Sequence, residues 1–282
     1  MKTKRFYLYL AAAAALLFGG VQTAQAQVLT PEDDGIVPKA QMHFVNSKPV
    51  EYTFLRQDDI MWSTRHWERI DLREKINHPL YYPVKPQPDR KSLFDVVRDG
   101  ILVEGTIGEV FRDDKFEIPL TNEEVFAILT RVDTIRDPDD PSIILNIDSI
   151  QIKAPNVVAW DLKSDWYFDK QRGEMKSRII GISPLVKEPG TGETYNAFWV
   201  WFEDARQALA TNIAYNASNN HTRLTFDQIM AMRYFNARIT KEDNTYDRSI
   251  EEYKKGSPMG QLLESQAIKD KLRNYEHDLW EF

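Results

Sequence analysis

The sequence predicts an α+β fold with a helical first half, an antiparallel β-meander in the second half that helices cover, and an amphipathic C-terminal helix. Three observations support this class. A capping box at residues 121–124 precedes apolar residues at helical spacing, residues 158–169 alternate in polarity, and helices and strands are grouped along the chain. Grouped elements favour α+β over a doubly wound parallel sheet.

The N-terminal region, residues 1–26, has the parts of a cleavable secretory signal peptide. Basic residues come first, an apolar run extends to Phe18, and small residues surround the expected cleavage after Ala26. The chain contains no cysteine, so the sequence predicts neither a lipid-modified cysteine nor a disulfide. We therefore expect an exported protein that, if it acts at a membrane, is held there by a partner.

The expected mature chain is acidic. Cleavage removes three cations and no anion from a chain of net charge −7, which leaves −10. Nucleic acids require a basic surface, so this charge argues against them as partners. After residue 26 no apolar stretch approaches the roughly 20 residues that span a bilayer, so we expect no membrane span.

The first half is predicted to contain an arm and then helices. Residues 27–50 are rich in proline and acidic residues without a sustained period, which predicts a flexible or partner-bound arm. A folded domain is expected over residues 51–282, with a candidate sub-boundary at the proline and aspartate residues 137–141. Its first helix is predicted over residues 58–77, from apolar residues on one helical face and a stop at His78-Pro79.

Further elements follow from local signals. Prolines predict a connector after residue 81, Ser92 is the expected cap of a helix ending at Gly100, and residues 108–118 resemble a strand. The helix behind the capping box keeps its apolar spacing through Val132.

The second half is predicted to be a meander. Residues 143–152 form a strand, and residues 158–169 form another with a core face and an exposed face. Turns at 170–173 and 188–193 connect it to strands over 175–186 and 195–202, the last of them central. Helices are expected over 204–213, after Thr225, and from Pro258 behind the cap Ser257.

Catalytic and metal-binding motifs are weak. Cysteine chemistry is excluded by composition, no Gly-x-Ser-x-Gly elbow or phosphate-binding glycine loop occurs, and the five histidines are isolated in sequence. We interpret the acidic clusters at residues 113–114, 137–140 and 243–247 as solvated turns, with weak surface calcium binding as the alternative. No cofactor is predicted.

A glycan-binding or glycan-cleaving protein is the alternative function. Exported, tryptophan-rich chains often act on glycans, and the candidate acid/base residues are Asp161, Asp165 and Glu203 beside Trp160, Trp166 and Trp199. Alternation along a strand places such carboxylates on the face opposite the tryptophans, whereas a glycosidase requires two facing carboxylates. The hypothesis therefore requires a buried carboxylate pair across a cleft.

Several long segments together resemble one family. They lie at residues 71–83 (DLREKINHPLYYP), 129–139 (LTRVDTIRDPD), 165–185 (DWYFDKQRGEMKSRIIGISPL), 245–253 (TYDRSIEEY) and 276–282 (EHDLWEF). In this order they are similar to the GldN/PorN proteins, periplasmic components of the type IX secretion and gliding-motility machinery of Bacteroidetes.

The resemblance implies a non-enzymatic role. Family members associate with an outer-membrane lipoprotein of the GldK/PorK type, build a periplasmic ring, and engage the periplasmic part of an inner-membrane motor component of the GldM/PorM type. The family has no catalytic residues to transfer to this chain. What the resemblance implies here is therefore a ring subunit associated with the outer membrane through its lipoprotein partner.

Two of the matching segments supply candidate interface residues. They are Arg172 in the predicted 170–173 turn and Tyr275, Leu279, Trp280 and Phe282 at the end of the C-terminal helix. Large aromatic residues near a chain terminus make good interface anchors, and packing in the core is the alternative for Trp280 and Phe282. Trp166 and Phe168 continue a regular apolar stripe, so we assign them to the core.

Overall fold

The structure is a computed structural model that describes residues 47–87, 90–136, 144–189, 191–216 and 223–278, except for the side chains of residues 131–149. Helices and an antiparallel sheet make up these residues, which confirms the predicted α+β class. The signal peptide, nearly all of the arm at 27–50 and the candidate sub-boundary at 137–141 lie outside the described residues.

The described residues form one large sheet, one small sheet and a set of helices. The strands are β1 (Ile60–Asp71), β2 (Val110–Phe111), β3 (Pro119–Leu120), β4 (Thr130–Arg136), β5 (Ile144–Gln151), β6 (Val157–Asp169), β7 (Glu174–Lys187), β8 (Thr194–Asn196), β9 (Trp199–Trp201) and β10 (Arg238–Glu242). The helices are α1 (His78–Tyr81), α2 (Leu93–Leu102), α3 (Asn122–Leu129), α4 (Phe202–Thr211), α5 (Phe226–Ala231), α6 (Ile250–Tyr253) and α7 (Pro258–Asp278).

The large sheet is antiparallel and takes strands from both halves of the chain. Its order is β10-β1-β6-β7-β9-β2-β3, and β8 also pairs with β7, while β4 and β5 pair separately. The β6–β7 hairpin confirms the predicted meander, and Gly173 adopts a φ of +65° in its turn. The predicted central strand is β9, which ends at Trp201 because α4 begins at Phe202.

Strand β1 corrects the helix predicted over residues 58–77. It pairs with β6 from Ile60 to Asp71, so its side chains alternate between two faces instead of following a helical repeat. The inward positions include His66 and Glu68, which are both buried. Because these residues are polar, the alternation was hidden from a search for apolar periodicity.

Both faces of β6 are covered, which corrects the prediction that one face is exposed. Trp160 and Leu162 lie in the main hydrophobic cluster with side chains of α2, α4 and α5. On the opposite face Asp161 and Lys163 are also buried, and each has a polar partner. Two bidentate ion pairs, Arg69 to Asp161 and Arg65 to Asp165, join β1 to β6 there, with N–O distances of 2.6 and 2.8 Å.

The predicted caps are confirmed, but some helix ends differ. Ser92 and Thr225 cap α2 and α5 as expected. Helix α2 continues past Gly100 to Leu102, and a Cβ on Gly100 would approach the Ile107 side chain to 3.0 Å. This glycine therefore permits close packing instead of ending the helix. Helix α3 stops at Leu129, and Val132 belongs to β4.

The strand predicted over residues 108–118 is reduced to the two-residue β2, followed by a turn and β3. In the turn, Phe116 has a φ of +61° and its ring contacts Trp201 edge to face at 5.0 Å between centroids. A Cβ on Gly181 would collide with the Phe116 ring. The turn thus packs onto β7 and β9 through an aromatic ring that requires a glycine beneath it.

Thr121 caps α3 in a reciprocal capping box. Its hydroxyl accepts a hydrogen bond from the Glu124 N–H at 3.3 Å, and the Glu124 carboxylate accepts one from the Thr121 N–H at 2.8 Å. We expect Thr121→Ala to lower the free energy of unfolding by about 1 kcal/mol in urea denaturation, because the cap is lost. Thr121→Ser keeps a hydroxyl at this position and is the control. Equal losses in the two variants would contradict a capping role.

The C-terminal helix α7 starts at Pro258 as predicted, with the Ser257 hydroxyl accepting from the Gly260 N–H at 3.1 Å. It packs along β10, and Ile268 forms a small cluster with residues of β10 and α6. The Ser265 hydroxyl accepts a hydrogen bond from the Ile239 N–H at 2.8 Å, and the Lys269 ammonium donates to the Ala237 carbonyl. Polar side chains of α7 therefore satisfy backbone groups of β10 and of the residue preceding it.

Candidate interface at the hairpin end of the sheet

Two of the predicted interface residues lie at one end of the large sheet. We call this region the hairpin end and define it as the β6–β7 turn at 170–173, the first residues of β1 and the last turn of α7. Arg172 lies in the turn and Tyr275 in the helix. Leu279, Trp280 and Phe282 lie outside the described residues, so their interface roles stay predictions.

Asp169, which is buried, holds the β6–β7 turn in shape. Its carboxylate accepts hydrogen bonds from the Gln171 N–H at 2.9 Å and from the Arg172 guanidinium at 2.9 Å, and the Gly173 N–H donates to its carbonyl at 2.7 Å. Burial acts to raise the pKa of Asp169, but the Gln171 N–H and the Arg172 contacts outweigh it and lower the pKa below the usual value. The turn is thus a fixed structure with a partly exposed guanidinium.

Strand β1 begins against this turn. Ile60 pairs with Asp169, the Lys170 N–H donates to the Asp59 carbonyl at 2.9 Å, and the Gln171 side-chain amide donates to the Asp59 carboxylate at 3.0 Å. Next to these contacts Met61 leaves 54% of its surface exposed and Ile60 leaves 36%. Two apolar side chains are therefore presented to solvent beside the ordered turn.

Helix α7 contributes the third side of the hairpin end. The Tyr275 ring packs on Trp62 with 4.8 Å between ring centroids, and the Glu276 carboxylate accepts a hydrogen bond from the Met175 N–H at 3.2 Å. Tyr275 is half-buried because Trp62 covers one side of it. These two contacts fix the end of α7 against β1 and β7.

Sequence reasoning missed the contribution of β1 to this surface. The residues Ile60, Met61 and Trp62 fell within the segment predicted to be a helix, where they carried no interface signal. The useful signal was the alternation of Trp62, Thr64 and the later inward residues across β1. Of the two aromatic residues assigned to the core, Phe168 is buried as predicted, whereas Trp166 is half-buried.

The carboxylates of the glycan hypothesis are paired with arginines. Asp161 binds Arg69, Asp165 binds Arg65, and Glu203 accepts a hydrogen bond from Arg206 at 3.3 Å. Along one strand Asp161 and Asp165 are four residues apart, or roughly 13 Å, which exceeds the separation in glycosidases. Trp160 is completely buried and cannot stack on a sugar. The Asp161–Asp165 pair therefore lacks the required geometry.

Two of the described histidines, His66 and His78, have structural surroundings. His66 is completely buried, with its Nε2 3.8 Å from the Glu242 carboxylate, and burial lowers its pKa despite that neighbour. The His78 ring packs edge to face against Tyr82 with 5.4 Å between centroids. Within the described residues we find no group of three or more His, Asp or Glu residues arranged to hold a metal ion.

None of the described helices combines the length and apolar character needed to cross a membrane. No curated protein matches the chain. Residues 55–281 match the family described as gliding motility associated protein GldN, a span that includes every element of the large sheet. The chain therefore belongs to the GldN/PorN family, which is linked to gliding motility and type IX secretion.

Proposed function

We propose that this protein is a non-enzymatic structural subunit of a periplasmic ring in the type IX secretion machinery. In this role it binds an outer-membrane lipoprotein of the GldK/PorK type and the periplasmic part of an inner-membrane protein of the GldM/PorM type. Family membership supports the link to this machinery. The ring, the partners and the location beneath the outer membrane go beyond family membership, and we propose them here.

The hairpin end is the surface that we assign to the lipoprotein contact. The observation that carries this assignment is the convergence of the ordered Arg172 turn, the exposed Met61 and the Tyr275 region of α7 at one place. Interfaces are typically centred on aromatic, methionine and arginine residues with polar surroundings. The turn, the strand and the helix are held together by direct hydrogen bonds, so little ordering is required on binding.

Met61→Asp tests the assignment in the native complex. We expect this variant to reduce co-purification of the chain with the lipoprotein by about tenfold or more, because a charge replaces an apolar contact. Met61 is exposed, so the variant should unfold at nearly the wild-type denaturant concentration.

Met259→Asp is the matched control. Met259 is 66% exposed and lies in the first turn of α7, at the opposite end of that helix from Tyr275. Unchanged co-purification of Met61→Asp, or an equal loss in both variants, would refute the assignment of the interface. Isolation of the wild-type chain as a monomer without partners after native extraction would refute the ring role itself.

A further inference from the structure

A surface groove lies between α1 and α5, and none of its lining residues belongs to the hairpin end. The groove has a volume of about 650 Å³, within the range of about 300–1,000 Å³ that is typical of ligand sites. Its lining includes Tyr82, Tyr215 and Tyr234. Ile76, Tyr82 and Tyr234 are 44%, 37% and 56% exposed, so large apolar side chains lie open along it.

Two of the groove's tyrosine rings, Tyr82 and Tyr215, belong to a connected aromatic group. Tyr82 packs against Tyr215 with 6.5 Å between centroids, against Tyr81 at 5.0 Å and against His78 at 5.4 Å, all edge to face. Among the described residues, the hydroxyls of Tyr82 and Tyr234 take part in no hydrogen bond that would compete with a ligand. The groove thus combines aromatic faces with hydroxyl donors.

The charge of the groove is opposite to that of the chain. Lys75 and His78 are its ionisable residues other than tyrosine, and no carboxylate is among the described residues that line it. The Arg90 guanidinium lies over the Tyr215 ring, 5.8 Å from its centroid. On a chain with an excess of acidic residues, this groove is suited to an anionic ligand.

We propose that the groove binds an extended, proline-containing, acidic segment of a partner protein. Proline-rich segments in the polyproline II conformation have no internal hydrogen bonds, so their carbonyls are available to tyrosine hydroxyls. Their rings and the flat aromatic faces are complementary, as in other aromatic-lined peptide grooves. The acidic side chains of the segment are placed next to Lys75. The proposal adds a peptide site to the hairpin-end contact and does not depend on it.

A random peptide library displayed on phage tests the proposal with the chain from Gln27 onward as the target. We expect the selected peptides to contain proline together with Asp or Glu, and a synthetic peptide of the selected sequence to bind saturably. Its binding should weaken when its prolines are replaced by alanine and when its acids are replaced by lysine. Selection of peptides without proline or without acids, or of none, would overturn the proposal.

Substitutions of groove residues test whether the selected peptide binds in the groove. Tyr234→Ala should weaken binding of the selected peptide by about tenfold, as for loss of an aromatic anchor, and Lys75→Glu by about threefold. Tyr246→Ala is the matched control, because Tyr246 is 74% exposed and does not line the groove. Peptide binding that survives both groove variants, or that falls equally in the Tyr246 variant, would place the site elsewhere and refute the assignment.

Discussion

Arg233→Met is expected to lower the free energy of unfolding by about 3–5 kcal/mol, because it leaves the buried Glu68 carboxylate without its countercharge. Glu68 accepts hydrogen bonds from the Ser164 hydroxyl at 2.8 Å and the Trp166 indole at 3.0 Å, and it forms an ion pair with Arg233. Arg233 also stacks on Trp166 at 4.7 Å. Equilibrium denaturation at neutral pH measures the loss.

The pH dependence identifies the cause of that loss. Burial acts to raise the pKa of Glu68, but the Arg233 charge and the hydrogen bonds from Trp166 and Ser164 outweigh it and lower the pKa below 4.5. The unfolded chain then binds the proton more tightly, so this contribution to stability is present above pH 4.5 and is lost as the pH falls through the folded-state pKa. The difference between wild type and Arg233→Met should therefore shrink in acid.

Two further variants distinguish the contribution of the ion pair to this stability loss from the contribution of lost packing. Arg233→Met combined with Glu68→Gln should recover part of the stability, because no uncompensated charge remains. Arg73→Met removes an arginine that is 80% exposed and paired with Asp71, and should cost less than about 1 kcal/mol. A loss in Arg233→Met as small as that in Arg73→Met would contradict the importance of the buried pair.

Asp227→Ala is expected to have the second large effect, with a loss of about 3 kcal/mol and release of the segment that precedes β1. The buried Asp227 carboxylate accepts hydrogen bonds from the Arg206 guanidinium at 3.0 Å and from the Val50 N–H at 2.6 Å. Arg206 donates in turn to the Val50 carbonyl and lies 4.1 Å from the Tyr52 ring centroid. The variant leaves Arg206 with Glu203, which is exposed, as its remaining acidic partner.

The pKa of Tyr52 provides a measure of the release of this segment. Burial raises the pKa of Tyr52 to about 12, with Arg206 acting in the opposite direction. Its phenol therefore favours folding below pH 10 and loses that contribution as the pH rises toward 12. In Asp227→Ala, an absorbance titration corrected with Tyr52→Phe should show this pKa returning toward its ordinary value.

A matched control and a direct measurement complete this test. Asp204→Ala removes an exposed carboxylate from α4 and should cost less than about 1 kcal/mol. Amide hydrogen exchange should increase over residues 50–56 in Asp227→Ala and not in Asp204→Ala. Wild-type protection of that segment in the Asp227 variant would show that other contacts hold it.

Local signals were sufficient for the elements whose cause is local. The caps at Ser92, Thr121 and Thr225 and the β6–β7 hairpin follow from hydrogen bonds or alternation within a few residues. Strand β1 was mistaken for a helix because Glu68 is buried inward, and its countercharge Arg233 lies 165 residues later in the sequence. A buried polar residue in a strand requires a partner, and the partner of Glu68 could not be identified from local sequence because it lies so far along the chain.

The candidate site was predictable to a similar extent. Arg172 and Tyr275 were available from the sequence because they lie in a clear turn and an amphipathic helix, and the structure brings both to the hairpin end. Met61 was not predicted as part of this surface, since its place depends on the register between β1 and β6. The groove between α1 and α5 could not be predicted from the sequence either, because these two helices are separated by more than a hundred residues.

The hydrogen bond from the Ile239 N–H to Ser265 and the Lys269 contact to the Ala237 carbonyl restrict how two copies of this protein can meet. An open sheet edge invites strands of neighbouring molecules to pair with it, which leads to unlimited aggregation. Here α7 occupies hydrogen-bonding positions along one outer edge of the large sheet. Copies of the chain are thereby discouraged from extending that edge strand by strand. In the ring proposed above, contacts between copies would instead rest on side chains, which can specify a finite size.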